Sequence, residues 1–258
     1  MSKLKLTGIH HMFPNKKGQV SVLADIHLHV EQGEFVSIIG PSGSGKSTLF
    51  HIIGGLVQPT SGEVWLDNEQ VTGKKGLISY MPQQPALFPW RSIEENVALG
   101  QEVAGESRTA AIAKAREWLP KVGLGGYERE FPHVLSGGMQ QRVSFLRALL
   151  SPQELMCLDE PFGSLDALTR LDMQAWLLNI WEHNKRSILF VTHSIEEALF
   201  LSDRIYVLSN KPASILEELK VPWARPRQEA VMQESAFIAL RQHIQGLLRR
   251  EKTNNVSY

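Results

Sequence analysis

Along the first part of the chain, apolar and polar residues alternate. The alternation in Lys3 to Ile9 and again in Val20 to Val30 predicts strands with one wet face, as in an antiparallel edge sheet. At Glu34 to Ile39 the pattern becomes a short, nearly continuous apolar run. A Gly-rich turn and helical spacing over Lys46 to Ile53 follow, so this stretch predicts a buried strand, a loop and a helix. Pro59 to Gly62 carries turn chemistry, and Glu63 to Leu66 and Leu77 to Met81 predict short strands. Helical spacing returns over Ser107 to Val122, and less clearly before it from Ser92, with Pro120 leaving the end of that helix open. The second half alternates helix and strand. Helices are predicted over Ser136 to Leu150, Asp166 to Asn184 and Ser194 to Leu201, and strands over Leu155 to Leu158, Ser187 to Val191 and Arg204 to Leu208. Apolar strands alternating with helices predict an α/β fold, a largely parallel sheet covered by helices. Functional loops then belong at the carboxyl ends of the strands. Beyond Pro222 a polar, Pro-containing linker runs into a last helix ending in Arg249, Arg250, Glu251 and Lys252.

Composition narrows the partners. The chain has 258 residues, a large domain or a domain with a small appendage, and it buries enough surface to fold without staples. The lone Cys157 cannot form an internal disulfide, which fits a reducing compartment. Lys and Arg together number 27, as do Asp and Glu, so no chain-wide field draws in a polyanion and nucleic acid is not an expected partner. No apolar stretch approaches the ~20 residues of a membrane span. The N-terminal residues alternate instead of forming the apolar core of a signal peptide, so a cytoplasmic start is expected.

The chemistry concentrates in three stretches. Gly40, Pro41, Ser42, Gly43, Ser44, Gly45, Lys46 and Ser47, followed by Thr48, fit G-x-x-x-x-G-K-[ST] between a predicted strand and a predicted helix. Glycines let backbone N–H groups close around a β-phosphate, the helix N-terminus adds a positive dipole, Lys46 reaches the β- and γ-phosphates, and Ser47 offers a hydroxyl to Mg²⁺. A Gly/Ser-rich turn capping a helix is the bland alternative. Leu155 to Glu160 supplies the second acidic element, an apolar strand ending in two carboxylates. Side chains alternate on a strand, so the two need not point the same way; Asp159 is read as the Mg²⁺ residue and Glu160 as the general base on the attacking water, with an acidic helix N-cap after a strand as the bland alternative. The third stretch is Leu135 to Arg142. Ser136 is a good helix N-cap, but Gly137 and Gly138 in the first turn cost about 1 kcal/mol each relative to alanine, a choice that suits close approach of a phosphate to a second helix terminus.

With these motifs in this order, the chain resembles the ATP-binding-cassette family, specifically the ATPase subunits of bacterial transporters. The resemblance runs from about Leu4 to Leu219, and its signature is Leu135 to Gln140, with Met139 where the family most often has glutamine. It implies a P-loop NTPase fold with a mostly parallel core sheet, an antiparallel β subdomain and a helical subdomain at about 92–153. The cassette then spans 4–220, and 221–258 is a linker and helix. The resemblance also implies that Gln83 is the Q-loop glutamine, a Mg²⁺ and water contact, with Gln84 as the competing assignment. It implies a D-loop at Ser164 to Asp166, a switch histidine at His193, and an aromatic ring against adenine at Phe13, whose alternative is sheet packing.

In this family one cassette cannot wrap its own nucleotide. The resemblance therefore implies a head-to-tail homodimer with two ATP molecules sandwiched, Ser136 and Gly138 of one subunit reaching the partner's γ-phosphate. It implies separate membrane permease subunits docking near Gln83 to Trp90, and indirectly a substrate-binding protein, with the chain held peripherally at the cytoplasmic face of the membrane. The Leu87-Phe88-Pro89-Trp90 string is similar to importers of nitrate, sulfonate, taurine and bicarbonate, a group that also takes up thiamine-precursor pyrimidines. A soluble, non-transport ATPase of the same family is the rival. Repair and chromosome ATPases carry a long insertion between P-loop and signature that is absent here. The basic run from Arg241 to Lys252 could touch lipid or RNA, but late cations also suit a solvated helix.

Overall fold

A computed structural model describes residues 2–16 and 18–254; Lys17 and the last four residues of the predicted C-terminal segment lie outside the described residues. The elements in chain order are β1 (Ser2–Asn15), β2 (Gly18–Glu31), β3 (Phe35–Ile39), α1 (Lys46–Ile53), β4 (Ser61–Leu66), β5 (Glu69–Gln70) and β6 (Ser79–Met81). They continue with α2 (Ile93–Val103), α3 (Arg108–Trp118), α4 (Gly137–Leu150), β7 (Leu155–Asp159), α5 (Ala167–Asn184), β8 (Ser187–Val191) and α6 (Ile195–Leu201). The chain closes with β9 (Arg204–Leu208), β10 (Ile215–Lys220) and α7 (Ser235–Asn254). It divides into two compact units, 1–77 with 181–258, and 78–180.

In the first unit an antiparallel sheet has the order β2-β1-β4-β5, and the strands of the second layer run β10-β9-β3-β8. Strand β3 lies parallel to both β8 and β9, and all five residues of each of these three strands are buried. This is why their sequences are nearly continuous apolar runs with no wet face to alternate against, interrupted only by the buried Ser37, Ser187 and Arg204. Strand β10 adds an antiparallel edge beside β9. The sequence reading missed it, although Ile215 to Lys220 alternates between half-buried and exposed positions as an edge strand should. Val221, Phe237 and Ile244 from the C-terminal segment join Ile39, Ala198, Leu199, Ile205 and Val207 in one apolar cluster, so the last helix is part of this unit's core.

In the second unit β6 and β7 form a parallel pair, α4 packs on β6, and α2 packs on both α3 and α4. The single helix expected over Ser107 to Val122 is instead α3 ending at Trp118 and a separate 3₁₀ turn at Pro120–Val122. Pro120 has no N–H to continue the α-helical ladder, so it opens a new turn. Helices α2, α3, α4 and α6 each start on a serine whose hydroxyl accepts a first-turn N–H, Ser92, Ser107, Ser136 and Ser194 respectively.

Candidate nucleotide site

Helix α1 has no such side-chain cap. It starts after Gly45, which has no side chain to cap it, and no acidic residue stands in its first turn. The positive end of the dipole is therefore left for an anion from outside the chain. The loop leading to it is shaped by two left-handed glycines, Gly43 at φ 79° and Gly45 at φ 101°. A Cβ on Gly45 would stand 2.8 Å from Val22 Cγ1, so a side chain there would be both strained in its backbone and crowded by β2. Gly43 has open space beside it. Lys46 is buried and its ammonium donates to the carbonyls of Gly40 and Pro41, both at 2.9 Å. It folds back across the loop that a phosphate would fill, with Ser47 and Thr48 half-buried next to it. Pro41 is half-buried, Ser42 exposed and Ser44 buried. These features fit a nucleotide's phosphate chain: uncapped donors, a cation and a cradle without side chains.

Phe13 lies on β1, 40 % exposed, with its ring set edge-on against buried His11 at 4.4 Å. His193 is exposed at the turn after β8, between buried Thr192 and the N-cap Ser194 of α6.

The remaining candidates belong to the second unit. Asp159 ends β7 and is 1 % exposed, whereas Glu160 is half-buried. The backbone separates them: Glu160 takes a left-handed conformation at φ 48°, unusual for a residue with a side chain and costing about 1–3 kcal/mol. That turn aims its carboxylate at Gln83, whose amide Nε2 donates to Glu160 Oε2 at 2.9 Å. Two residues assigned separately from the sequence thus meet; Gln84 is exposed beside them.

A residue that the sequence reading passed over organises the same place. Gln141 of α4 is 3 % exposed, and its Nε2 donates to the Glu160 backbone carbonyl at 3.1 Å while its Oε1 accepts from the Ser164 hydroxyl. One side chain on the signature helix therefore holds both the acidic turn and the loop containing Ser164. The available signal was a polar residue on the buried face of a helix, where an unpaired amide would be costly.

At the start of α4, the Ser136 hydroxyl accepts from Met139 N at 3.3 Å, the N-cap expected from the sequence. A Cβ on Gly138 would stand 3.2 Å from Leu165 Cδ2, while nothing lies within 4 Å of one on Gly137. Gly138 thus permits close packing and Gly137 keeps a face clear. Asp166 Oδ1 accepts from Thr169 N at 3.0 Å, capping α5, and the hydrogen bond with the Thr169 side chain, followed by that with its backbone, holds the carboxyl below its ordinary range. Cys157 and Tyr80, in contrast, are pushed up by burial, with the Asp159 charge adding to the shift.

Comparison with known proteins agrees with this geometry. The profile of the ABC transporter family matches residues 23–163. An uncharacterized ABC transporter ATP-binding protein of Methanocaldococcus jannaschii is 41 % identical over 96 % of this chain and 92 % of its own length. This chain belongs to the ABC transporter family of ATP-binding proteins. Among other relatives of the ATPase, a nitrate import ATP-binding protein of Synechocystis is 39 % identical over 97 % of this chain and 96 % of its own. An aliphatic sulfonates import ATP-binding protein of Bacillus cereus is 42 % identical over 90 % and 92 %. A solved dimeric ATP-binding cassette in a post-hydrolysis state with ADP and Pi is similar at a TM-score of 0.78 and 31 % identity, covering 86 % of this chain and all of that one. The fold is therefore that of an ABC ATPase. Among the described residues no helix is long and apolar enough to cross a membrane.

Proposed function

We propose that this ATPase energises a bacterial importer of a small anion of the nitrate or sulfonate type, through membrane subunits on separate chains. The observation that carries the ATPase half is the uncapped α1 behind the Gly43 and Gly45 loop, with Lys46 folded across it. The importer half is supported by the relatives named for nitrate and sulfonate import. Gly40 to Thr48 hold the phosphates by their backbone, and Phe13 stacks on the adenine. Ser47, Asp159 and Gln83 would hold Mg²⁺, which would supply neutralisation of the phosphate charge. Glu160 takes the proton of the attacking water, Gln83 orients that carboxylate, and His193 donates to the γ-phosphate.

Two copies pair head to tail, so that Ser136, Gly137 and Gly138 of one subunit approach the nucleotide of the other, with Asp166 beside that interface. The dimeric form of the similar cassettes supports this arrangement. Trp90, 70 % exposed, marks the surface for the permease on the loop of Gln83 to Trp90, which Asn96 fixes through Phe88 N and the carbonyls of Phe88, Arg91 and Ser92. The chain is then peripheral at the cytoplasmic face of the membrane, with a substrate-binding protein acting through the permease. Lys46→Ala tests the nucleotide reading: ATP binding measured by calorimetry is lost, and unchanged affinity refutes the assignment. Identifying the membrane protein that co-purifies, and the solute that stimulates ATPase activity in that complex, tests the importer reading. Stimulation by a pyrimidine instead of an anion would move the cargo, and no membrane partner would favour a soluble ATPase.

A further inference from the structure

The last carbonyls of an α-helix have no partner within the helix. In α6 every carbonyl from Ala198 to Ser202 nevertheless has a donor. Ser202 N bonds Ala198 O, as an ordinary C-cap does. The other four are held by two arginines of the C-terminal segment. Arg227 Nη1 lies 3.2 Å from Leu199 O, 3.0 Å from Phe200 O and 2.6 Å from Ser202 O, and Arg225 Nη2 donates to Leu201 O. Both guanidiniums are themselves fixed. The Arg227 side chain is 1 % exposed and its Nε donates to Trp223 O at 3.1 Å. Arg225 lies 4.2 Å over the Trp181 ring and donates to Asp203 Oδ1 at 2.8 Å. Burial, with the neighbouring Arg225 charge, pulls Arg227 down to about 10 despite Asp203, which leaves it a cation at neutral pH, and a cation suits the negative end of a helix.

The other end of α6 is held as firmly, next to His193. Ser194 N donates to the Thr192 hydroxyl at 3.0 Å, that hydroxyl donates to Glu197 Oε2 at 2.5 Å, and Glu197 N donates to Ser194 Oγ at 3.2 Å. His193 therefore sits in a backbone loop whose two flanking residues are tied to α6, and α6, about 10 Å long, is gripped at its far end by the arginines. Phe237 and Ile244 of α7 pack with Ala198 and Leu199 between these ends.

We propose that Arg225 and Arg227 are positioning residues for His193, so that the segment after β10 sets the rate of hydrolysis by fixing the axial position and tilt of α6. This rests on the reading of His193 as the residue that donates to the γ-phosphate. The arginines touch no nucleotide; they act through the helix that carries the histidine. Without them α6 loses the donors to four carbonyls and can shift or fray at its C-terminus. Displacements of ~1 Å at a reacting group can cost up to about a hundredfold in rate.

The test is a cycle of full-length variants: His193→Ala, Arg227→Ala, Arg227→Lys and the double variant His193→Ala with Arg227→Ala. ATPase kcat and KM, ATP affinity and thermal midpoint are measured for each. Arg227→Ala lowers kcat by about tenfold to a hundredfold while KM and ATP affinity hold. Arg227→Lys, whose ammonium keeps charge and three donors at the same carbonyls, recovers part of that loss. In the double variant the loss is no larger than in His193→Ala alone, because both changes remove one arrangement. Undiminished kcat in folded Arg227→Ala, or fully additive losses, overturns the proposal. Undiminished kcat in His193→Ala instead overturns the underlying reading of that histidine. Should Arg227→Ala fail to fold, Arg227→Lys replaces it in the cycle, and an additive loss there overturns the proposal equally.

Discussion

Glu160→Gln separates chemistry from architecture. The substitution keeps the side chain's length and shape, and both residues lack the β-branching that would worsen a backbone at φ 48°. The contact with Gln83 at 2.9 Å survives, because the new amide oxygen accepts the same Nε2 hydrogen, though as a neutral acceptor it does so about half as strongly. Gln141 holds the backbone carbonyl at 3.1 Å and is indifferent to the change. Stability and ATP binding should therefore hold. The loss is the proton acceptor, and a positioned general base is worth about 10²–10⁴ in rate. At about 1.36 kcal/mol per decade, this is a rise of roughly 2.7–5.4 kcal/mol in the barrier. The assay is phosphate release at saturating ATP alongside calorimetric ATP binding. A variant that binds ATP and turns over within a few-fold of the parent chain refutes Glu160 as the base. A variant that loses ATP binding refutes the claim that its shape suffices for the site.

Two further predictions concern groups whose protonation the fold controls. Glu95 closes a capping box at the start of α2, where Ser92 N donates to Glu95 Oε2 at 2.8 Å and Glu95 N donates to Ser92 Oγ at 3.4 Å. The bond from the Ser92 backbone N–H, foremost, holds the Glu95 carboxyl below its ordinary 4.5. Its folded value is the lower one, so its contribution to stability is present above 4.5 and is lost as pH falls through the depressed value. Urea midpoints should fall more steeply below that pH in the parent chain than in Glu95→Gln, and parallel curves would refute the argument. Cys157 is fully buried and burial raises its thiol well above the ordinary range, so almost no thiolate exists at neutral pH. A disulfide-forming probe should label it only after urea is added; rapid stoichiometric labelling of the folded chain would refute this.

The sequence alone determined whatever depends on near neighbours along the chain. Nearly continuous apolar runs specify strands with no wet face, and β3, β8 and β9 are all buried as that pattern requires. The phosphate loop is legible because its function uses backbone N–H groups and glycine conformations, which are properties of consecutive residues. The same holds for the serine that caps α4, since a cap acts within one turn of helix. What only the tertiary structure decided involves side chains reaching backbone groups far away in sequence. Gln141 on the Glu160 carbonyl, and Arg227 on the end of a helix some 25 residues earlier, leave no periodic trace, because a donor in the chain does not reveal which carbonyl it will meet. The left-handed turn at Glu160 was also invisible, since glutamate carries no local preference for positive φ and adopts it only where surrounding contacts impose it. The alternation in β10 was present to be read, yet an edge strand of six residues is short enough that it gains its identity from pairing with β9. The order of motifs gives the family and the chemistry; long-range hydrogen bonds decide how rigidly each motif is held.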